Sequence, residues 1–284
     1  MEWVTRMTDA IGYIEEHLTE EIVYAEAARI AGCSSYHFQR MFSYMAEVSL
    51  AEYIRRRRMT LAAFELQNSP IKVIDLALKY GYESPEAFAR AFQQLHGTTP
   101  TAARHAGTKL KAYPRISFHF TIKGALEMNY RIEQLGPFSI SGKKERIDME
   151  LAFEQVPRIW QSAQEEGLFG LLWDIRNAEH PIRGIMGVCV DGNWGKNDGF
   201  DYLLAIASEQ EPPEGLEKLE FSEASWAVFE ALGPPEGIQD LWRRLYTEWI
   251  PASNYELGHL PAIECYLPIE EGKNELWVPV VKKG

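Results

Sequence analysis

AARIAGCSSYHFQRMF (27–42) and, fifty residues later, ALKYGYESPEAFARAF (77–92) decide the fold of the first third of this chain. Aligned at that offset, Ala27 matches Ala77, Ser34 Ser84, Phe38 Phe88, Arg40 Arg90 and Phe42 Phe92. Each copy reads as helix, glycine-containing turn, serine, helix, which is the layout that holds a second helix across a first and presents its outer face. Around the repeat, apolar residues recur at three and four from Thr5 to about Arg104, so the region is predicted all helical. The expected helices are 5–18, 24–31, 35–46, 49–67, 71–80, 85–96 and a short one after Pro100, with Gly32, Gly81 and Gly97 closing three of them.

On the helix at 35–46, Phe38, Met41, Phe42 and Met45 form one apolar stripe, and Tyr36, Gln39, Arg40 and Ser43 share the opposite face. That face suits base edges: Arg pairs with guanine O6/N7, Gln with adenine, and an aromatic ring packs on a thymine methyl. Ser34 is expected to cap this helix and leave its free amides for a phosphate. In the second copy Ser84-Pro85 is a cap followed by proline at the first helical position. There Phe88, Ala91, Phe92 and Leu95 face inward, and Glu86, Ala89, Arg90 and Gln93 face out. Glu86 repels phosphate and is useful mainly by accepting from cytosine N4, so this helix should read fewer bases. Two such helices in adjacent major-groove segments lie about 34 Å apart, and a connecting helix of ~19 residues at 49–67 spans about 28 Å. Arg55 to Arg58 cover too wide an arc to face DNA together; one or two reach phosphate and the others pair with acids such as Glu52.

Charge divides the chain unevenly. Of the net −12, residues 1–107 carry 11 basic and 13 acidic side chains, 108–127 carry 4 and 1, and 128–284 carry 14 and 27. Partners are therefore argued domain by domain. Cys33, Cys189 and Cys265 are odd in number and widely spaced, which points to neither disulfides nor zinc, and no cofactor is expected. With no apolar h-region at the N-terminus and no run approaching 18 apolar residues, a soluble, cytoplasmic protein with no membrane partner is expected.

After Gly107 the basic, proline-containing TKLKAYPRISFHFTIKGALE suits a linker or a docking segment. From Met128 onward MNYRIEQL, FSISGKKERI, GIMGVCV, FDYLLAIA, SWAVFEAL, AIECYLPI and ELWVPVVKK have strand character, interrupted by helical patterns at 150–166 and 237–249. The fold class expected is multidomain: an all-α double helix-turn-helix domain, then an α+β domain of two pseudo-symmetric strand-helix-strand-strand units. The boundaries are 1–107, 108–127 (linker) and 128–284.

YIEEHL, AARIAGCSSYHFQRMF, YIRRRRMTLAAFEL and VIDLALKYGYESPEAFARAFQQLHGTTPTAAR together resemble the AraC/XylS family DNA-binding domain over residues 5–105. The resemblance implies a transcription regulator, usually an activator, with two helix-turn-helix units on one asymmetric site of double-stranded DNA. It matches Tyr36, Gln39 and Arg40 to the base-reading positions of the first recognition helix, and Pro85, Glu86, Ala87 and Arg90 to those of the second. LGPPEGIQDLWRRLYTEWIPASNYELGHLPAIECYLPI resembles the GyrI-like effector-binding domain, covering about 128–283. That likeness implies two pseudo-symmetric units with a ligand cleft between them, binding hydrophobic, often cationic compounds in the manner of multidrug recognition.

Alternation along Ala262–Leu267 places Glu264 with Ala262 and Tyr266 on one strand face and Ile263, Cys265 and Leu267 on the other. A glutamate beside an aromatic ring in a cleft attracts a ligand cation while aromatic walls hold its apolar body. The resemblance matches Glu264 to the family's pocket glutamate and Tyr202 to its pocket-lining strand; Trp160, on the first helix, and Tyr266 are further wall candidates. Trp242 and Trp249, seven apart, have the spacing of a core stripe. The reading is a one-component regulator in which a hydrophobic, cationic effector alters domain docking or the contact with RNA polymerase. Two rivals remain at this stage. The C-terminal domain is a small-molecule hydrolase using Glu264 as base and Tyr266 as proton donor, or a ligand-independent protein-interaction module.

Overall fold

The computed structural model describes residues 2–33, 35–117, 127–148, 151–190 and 199–283, with the backbone alone for Glu2, Trp3, Tyr36 and Phe153. The chain divides into two compact units, 1–119 and 120–284.

The first unit holds α1 (Glu2–Glu16), α2 (Tyr24–Ala31), α3 (Ser35–Ala46), α4 (Leu50–Asn68), α5 (Val73–Lys79), α6 (Pro85–His96) and α7 (Pro100–Ala103). Local chemistry sets their ends. The Ser49, Ser84 and Thr99 side chains accept from the amides of Glu52, Ala87 and Ala102, and Pro85 and Pro100 open their helices; each such cap is worth about 1 kcal/mol. Gly32 and Gly81 turn the chain between the paired helices with φ of +76° and +78°, a conformation that costs glycine little and other residues more. Phe88 and Phe92 from α6 lie fully buried against Met59, Ala62 and Leu66 of α4 and Leu76 and Tyr80 of the α5 end. Phe38 and Phe42 of α3 are equally buried; truncating any of these four rings to alanine costs about 3–5 kcal/mol.

All four positions of the arginine run have partners within the unit, the expected pairing with Glu52 among them. Arg55 and Arg56 pair with Glu52. Arg57 grips Glu15 of α1 through Nε and Nη2, at 2.8 and 2.7 Å. Arg58 donates to the carbonyls of Leu18 and Glu20, both at 2.8 Å. The partners of Arg57 and Arg58 lie in α1 and the turn after it, some forty residues away, so no local pattern announces them.

The second unit comprises β1 (Tyr130–Leu135), β2 (Phe138–Asp148), α8 (Ala152–Glu165), α9 (Leu168–Ile175), β3 (Ile185–Val190), β4 (Gly199–Ala207), β5 (Glu217–Phe221), β6 (Ala224–Leu232) and α10 (Gly237–Arg244). A π-helical turn at Leu245–Trp249 follows, then α11 (Ile250–Ala252), β7 (Tyr255–Leu257), β8 (Ile263–Tyr266) and β9 (Lys273–Lys282). The sheet is antiparallel in order β1-β6-β9-β8-β3-β4-β2-β5, with β7 beside β9. β1 and β2 are joined by Gly136-Pro137 alone and β5 and β6 by Ser222-Glu223 alone, yet the members of each pair stand near opposite ends of that order. Such short turns force the ends of the sheet together. The sheet therefore curls, and rings from both ends meet inside it: Phe138 stacks on Phe221 at 4.7 Å, and Trp226 lies 6.1 Å from Phe138 and 6.5 Å from Trp277.

The opposite face carries the helices. Leu204 and Ile206 of β4 pack with Leu172 and Ile175 of α9 and Ala163 of α8, and α10 lies against β6 and β9. Sequence periodicity did not find α9, β5 or β7. The helix LFGLLWDI is apolar on nearly every side, and the other two are short strands, β5 at the edge of the sheet.

Candidate functional site

Two constellations carry the functional expectations, one in each unit. In α3 the buried arc is wider than a single stripe. His37 and Gln39, at 4% and 3% exposure, lie on either side of buried Phe38, Met41 and Phe42, an arc of about 200° at 100° per residue. Helix α3 is flanked by both α2 and α4, and Gln39, expected on the outer face, is buried. That corrects its assignment to a base edge. What faces outward is narrower: Arg40, Ser43 and Tyr44, all partly exposed. The Arg40 guanidinium lies over the Tyr44 ring at 5.7 Å, with Nη2 3.4 Å from the Tyr44 hydroxyl, and the Ser43 hydroxyl donates to the Gln39 carbonyl at 2.9 Å. Tyr44 escaped the sequence reading, although its position four residues after Arg40 is the signal that could have found it. Ser34 and the Tyr36 side chain lie outside the described residues. Burial, followed by the Arg40 charge, pushes the His37 imidazole down to about 4. In α6 the expected row is present: Glu86, Arg90 and Gln93 are exposed at i, i+4 and i+7, with Phe88, Phe92 and Leu95 turned inward.

In the second unit the pairing of β3 with β8 sets Gly187 opposite Glu264. Ile263 and Cys265 enter the inner core, so Glu264 and Tyr266 stand on the helix-bearing face. The Glu264 side chain is buried, at 5% exposure. Its Oε1 accepts from the Trp242 indole at 2.7 Å and its Oε2 from the Tyr266 hydroxyl at 3.0 Å. Both donors are neutral, so they orient the carboxyl group without supplying an opposing charge. The Trp160 indole donates to the Tyr202 hydroxyl at 2.8 Å, and the Trp160 ring meets Tyr266 edge-on at 4.6 Å. Trp242 stacks on Tyr246 at 5.6 Å.

All four residues singled out from the sequence, Glu264, Tyr266, Tyr202 and Trp160, therefore come together in one aromatic-walled cluster. Each half of the unit lends it one tryptophan N–H, Trp160 from α8 and Trp242 from α10. The sequence reading placed Trp242 in a core stripe, and it is fully buried; what that reading missed is the direction of its indole, set by contact with a strand 22 residues on. Gly187 was also missed. A Cβ there would come closer than 3.0 Å to the Tyr202 hydroxyl, so only glycine on β3 lets that ring lie across toward Trp160. The cluster sets one carboxyl group among aromatic rings and two tryptophan N–H donors, the kind of chemistry that recognises a polarisable, planar or cationic group. Among the described residues no group of histidine, cysteine and carboxylate side chains is placed to hold a metal ion, and no helix is long and apolar enough to cross a membrane.

Comparison with known proteins bears on both units. Residues 128–281 match the GyrI-like small molecule binding domain, and residues 27–106 match a helix-turn-helix domain. The HTH-type transcriptional activator AarP of Providencia stuartii is 37% identical over 102 residues, 36% of this chain and 76% of that protein. The regulatory protein SoxS of Escherichia coli K12 is 36% identical over 97 residues, 34% of this chain and 91% of that protein. Among solved structures, SAV2435 bound to tetraphenylphosphonium is similar at 22% identity and a TM-score of 0.48, over 54% of this chain and 94% of that one.

Proposed function

Because the chain belongs to the GyrI-like small-molecule-binding family and joins that domain to an AraC-type helix-turn-helix unit, we propose that it is a cytoplasmic transcription activator governed by a hydrophobic, cationic effector. Residues 1–107 bind DNA, 108–127 connect, and 128–284 bind the effector. Arg40 and Ser43 on α3, with Tyr36, read one major-groove segment, and Arg90, Gln93 and Glu86 on α6 read the adjacent one; Gln39 supports α3 from within. Effector binding changes how the DNA-bound protein meets RNA polymerase.

The observation that carries the effector reading is Glu264, a buried carboxyl group held by two neutral donors among aromatic rings. In such surroundings a ligand cation gains from the carboxylate and from the ring faces together, and its apolar body replaces water at the walls. The strand order supports two pseudo-symmetric strand-helix-strand-strand units. Exchanging β1 with β5, β2 with β6, β3 with β8 and β4 with β9 turns that order into its own reverse. The cluster sits at the centre of this exchange, where β3 meets β8.

The test is titration of the full chain, followed by tryptophan fluorescence, with aryl quaternary ammonium ions and their neutral carbon isosteres. Glu264→Gln should weaken the cations by about tenfold or more, about 1.4 kcal/mol, and leave the neutral analogues near their wild-type affinity. Equal loss for both classes removes charge from the role of Glu264, and turnover of an added ester in place of saturable binding favours the hydrolase.

A further inference from the structure

The DNA-binding reading leaves an electrostatic problem. Residues 1–107 carry 11 basic and 13 acidic side chains, and proteins attach to DNA chiefly by setting lysine and arginine against phosphates. The structure sharpens the problem, because most of these cations are engaged inside the unit. Arg29 pairs with Glu26, Lys79 with Glu65, Arg55 and Arg56 with Glu52, and Arg57 with Glu15. Arg58 and Arg104 are bonded to backbone carbonyls.

Residues 108–117, which carry neither helix nor strand, add three cations and no acid to this unit. They form a strap held on the helical unit largely by side chains that bond its backbone. The Lys111 amide donates to His96 Nδ1 at 3.2 Å, the Tyr113 amide to the Thr60 hydroxyl at 3.0 Å, and the Ile116 amide to the Tyr53 hydroxyl at 3.3 Å. Arg57 Nη1 donates to the Tyr113 carbonyl at 2.6 Å. Leu110 and Tyr113 pack on the core of α4–α6, and Arg56 lies over the Tyr113 ring at 5.0 Å. Leu110, Tyr113 and the bonded backbone are thus turned in, and Lys109, Lys111 and Arg115 are all exposed. These three make no ion pair or side-chain hydrogen bond among the described residues; in the helical unit Lys72 and Arg90 are the other cations of which that holds. Adding the strap changes the unit to 14 basic against 13 acidic side chains.

We propose that the docked strap is part of the DNA interface, its Lys109, Lys111 and Arg115 taking phosphate oxygens of the duplex that α3 and α6 read. The side-chain bonds along α4 fix the strap's position, so its cations meet the backbone in one register. The strap contacts carry no base information; they attract, and they set the orientation from which Arg40 and Arg90 read. This proposal rests on the DNA-binding reading above and adds the source of its electrostatic attraction.

The experiment compares the full chain with the variant Lys109→Gln, Lys111→Gln, Arg115→Gln, measuring affinity for a cognate and an unrelated duplex across salt concentrations. All three side chains are exposed, so the fold should persist, and an unchanged thermal transition checks this. Each phosphate contact contributes about 0.9 to the slope of log K against log salt, so the triple variant should lose about 2.7 of that slope. Between 50 and 200 mM salt the wild type should then lose about 40-fold more affinity than the variant. Cognate and unrelated DNA should be weakened alike at low salt. A wild-type slope in the triple variant overturns the proposal, as does an intact slope with an altered effector response, which would assign the strap to the acidic domain. If the wild-type chain binds no duplex at any salt, the DNA-binding reading itself fails, a result distinct from these.

Discussion

Alanine at Gly187 should disrupt the Glu264 cluster without replacing any of the residues that form it. Gly187 lies on β3 between Leu204 of β4 and Glu264 of β8, and a Cβ there would fall within 3.0 Å of the Tyr202 hydroxyl oxygen and reach 3.0 Å from Cζ. Tyr202 is 1% exposed and tied to Trp160, so its ring has no free direction to yield. Two costs follow: about 1–3 kcal/mol for a polar group stripped of its partner and about 1–3 kcal/mol for overpacking. Together they make roughly 2–6 kcal/mol, which at about 2–4 °C per kcal/mol is a fall on the order of 10 °C in the transition of the second unit. Differential scanning calorimetry of the full chain, with that transition identified through tryptophan fluorescence, measures it. The decisive comparison adds Tyr202→Phe, which deletes the atom the new methyl strikes. If the steric reasoning holds, the double variant is more stable than the sum of the two single losses predicts, by about 1–3 kcal/mol. Additivity within about 0.5 kcal/mol would refute it, and so would a Gly187→Ala protein that melts at the wild-type temperature.

Two further predictions concern the DNA-binding unit. Arg40→Ala should cost about 1–3 kcal/mol on the cognate site and relax discrimination at one base position; a footprint and affinity identical to wild type would take Arg40 out of the reading surface. Folding of this unit should also depend on pH through His37, whose imidazole is held near 4 by burial and by Arg40 against an ordinary 6.5. A base with a depressed native value binds its proton first in the unfolded chain, so the stability it allows is present above pH 6.5 and is lost as pH falls toward 4. At about 1.4 kcal/mol per unit, roughly 2 kcal/mol should disappear between pH 6.5 and 5; urea denaturation of His37→Gln, which lacks this titration, should show a shallower decline over the same range.

The helical unit was legible from sequence where its information is local. Ser84-Pro85, Thr99-Pro100 and the Gly32 and Gly81 turns act within a few residues, and the helices they bound fall within about three residues of the expected positions. Sequence was less informative where the deciding partner is distant. Gln39 lies at the edge of an arc that is buried more widely than the four apolar residues imply. Arg57 reads only as one of a run of four until Glu15, 42 residues earlier, is brought beside it. Trp242 reads as core, which it is, but its N–H direction depends on a strand that the spacing of Trp242 and Trp249 cannot place. In the sheet unit, alternation fixed which face of β8 Glu264 takes. It could not find β5, a short edge strand with a single partner, whose sequence EKLEF is charged at three of five positions.

The strand order has a consequence for how the effector unit comes into being. Of its sheet pairings, β1 with β6, β2 with β5 and β3 with β8 each join a strand from before residue 208 to one from after residue 216. Neither half alone can complete both faces of the sheet, since on the inner face Phe138 needs Phe221 and Trp226 and on the helix-bearing face the Glu264 cluster needs Trp160. A chain cut in the turn between β4 and β5 would yield two pieces, each a template for the other. Their reassembly would be a complementation reaction with the aromatic cluster at the seam, so any compound that fills the cluster acts as a glue between the pieces.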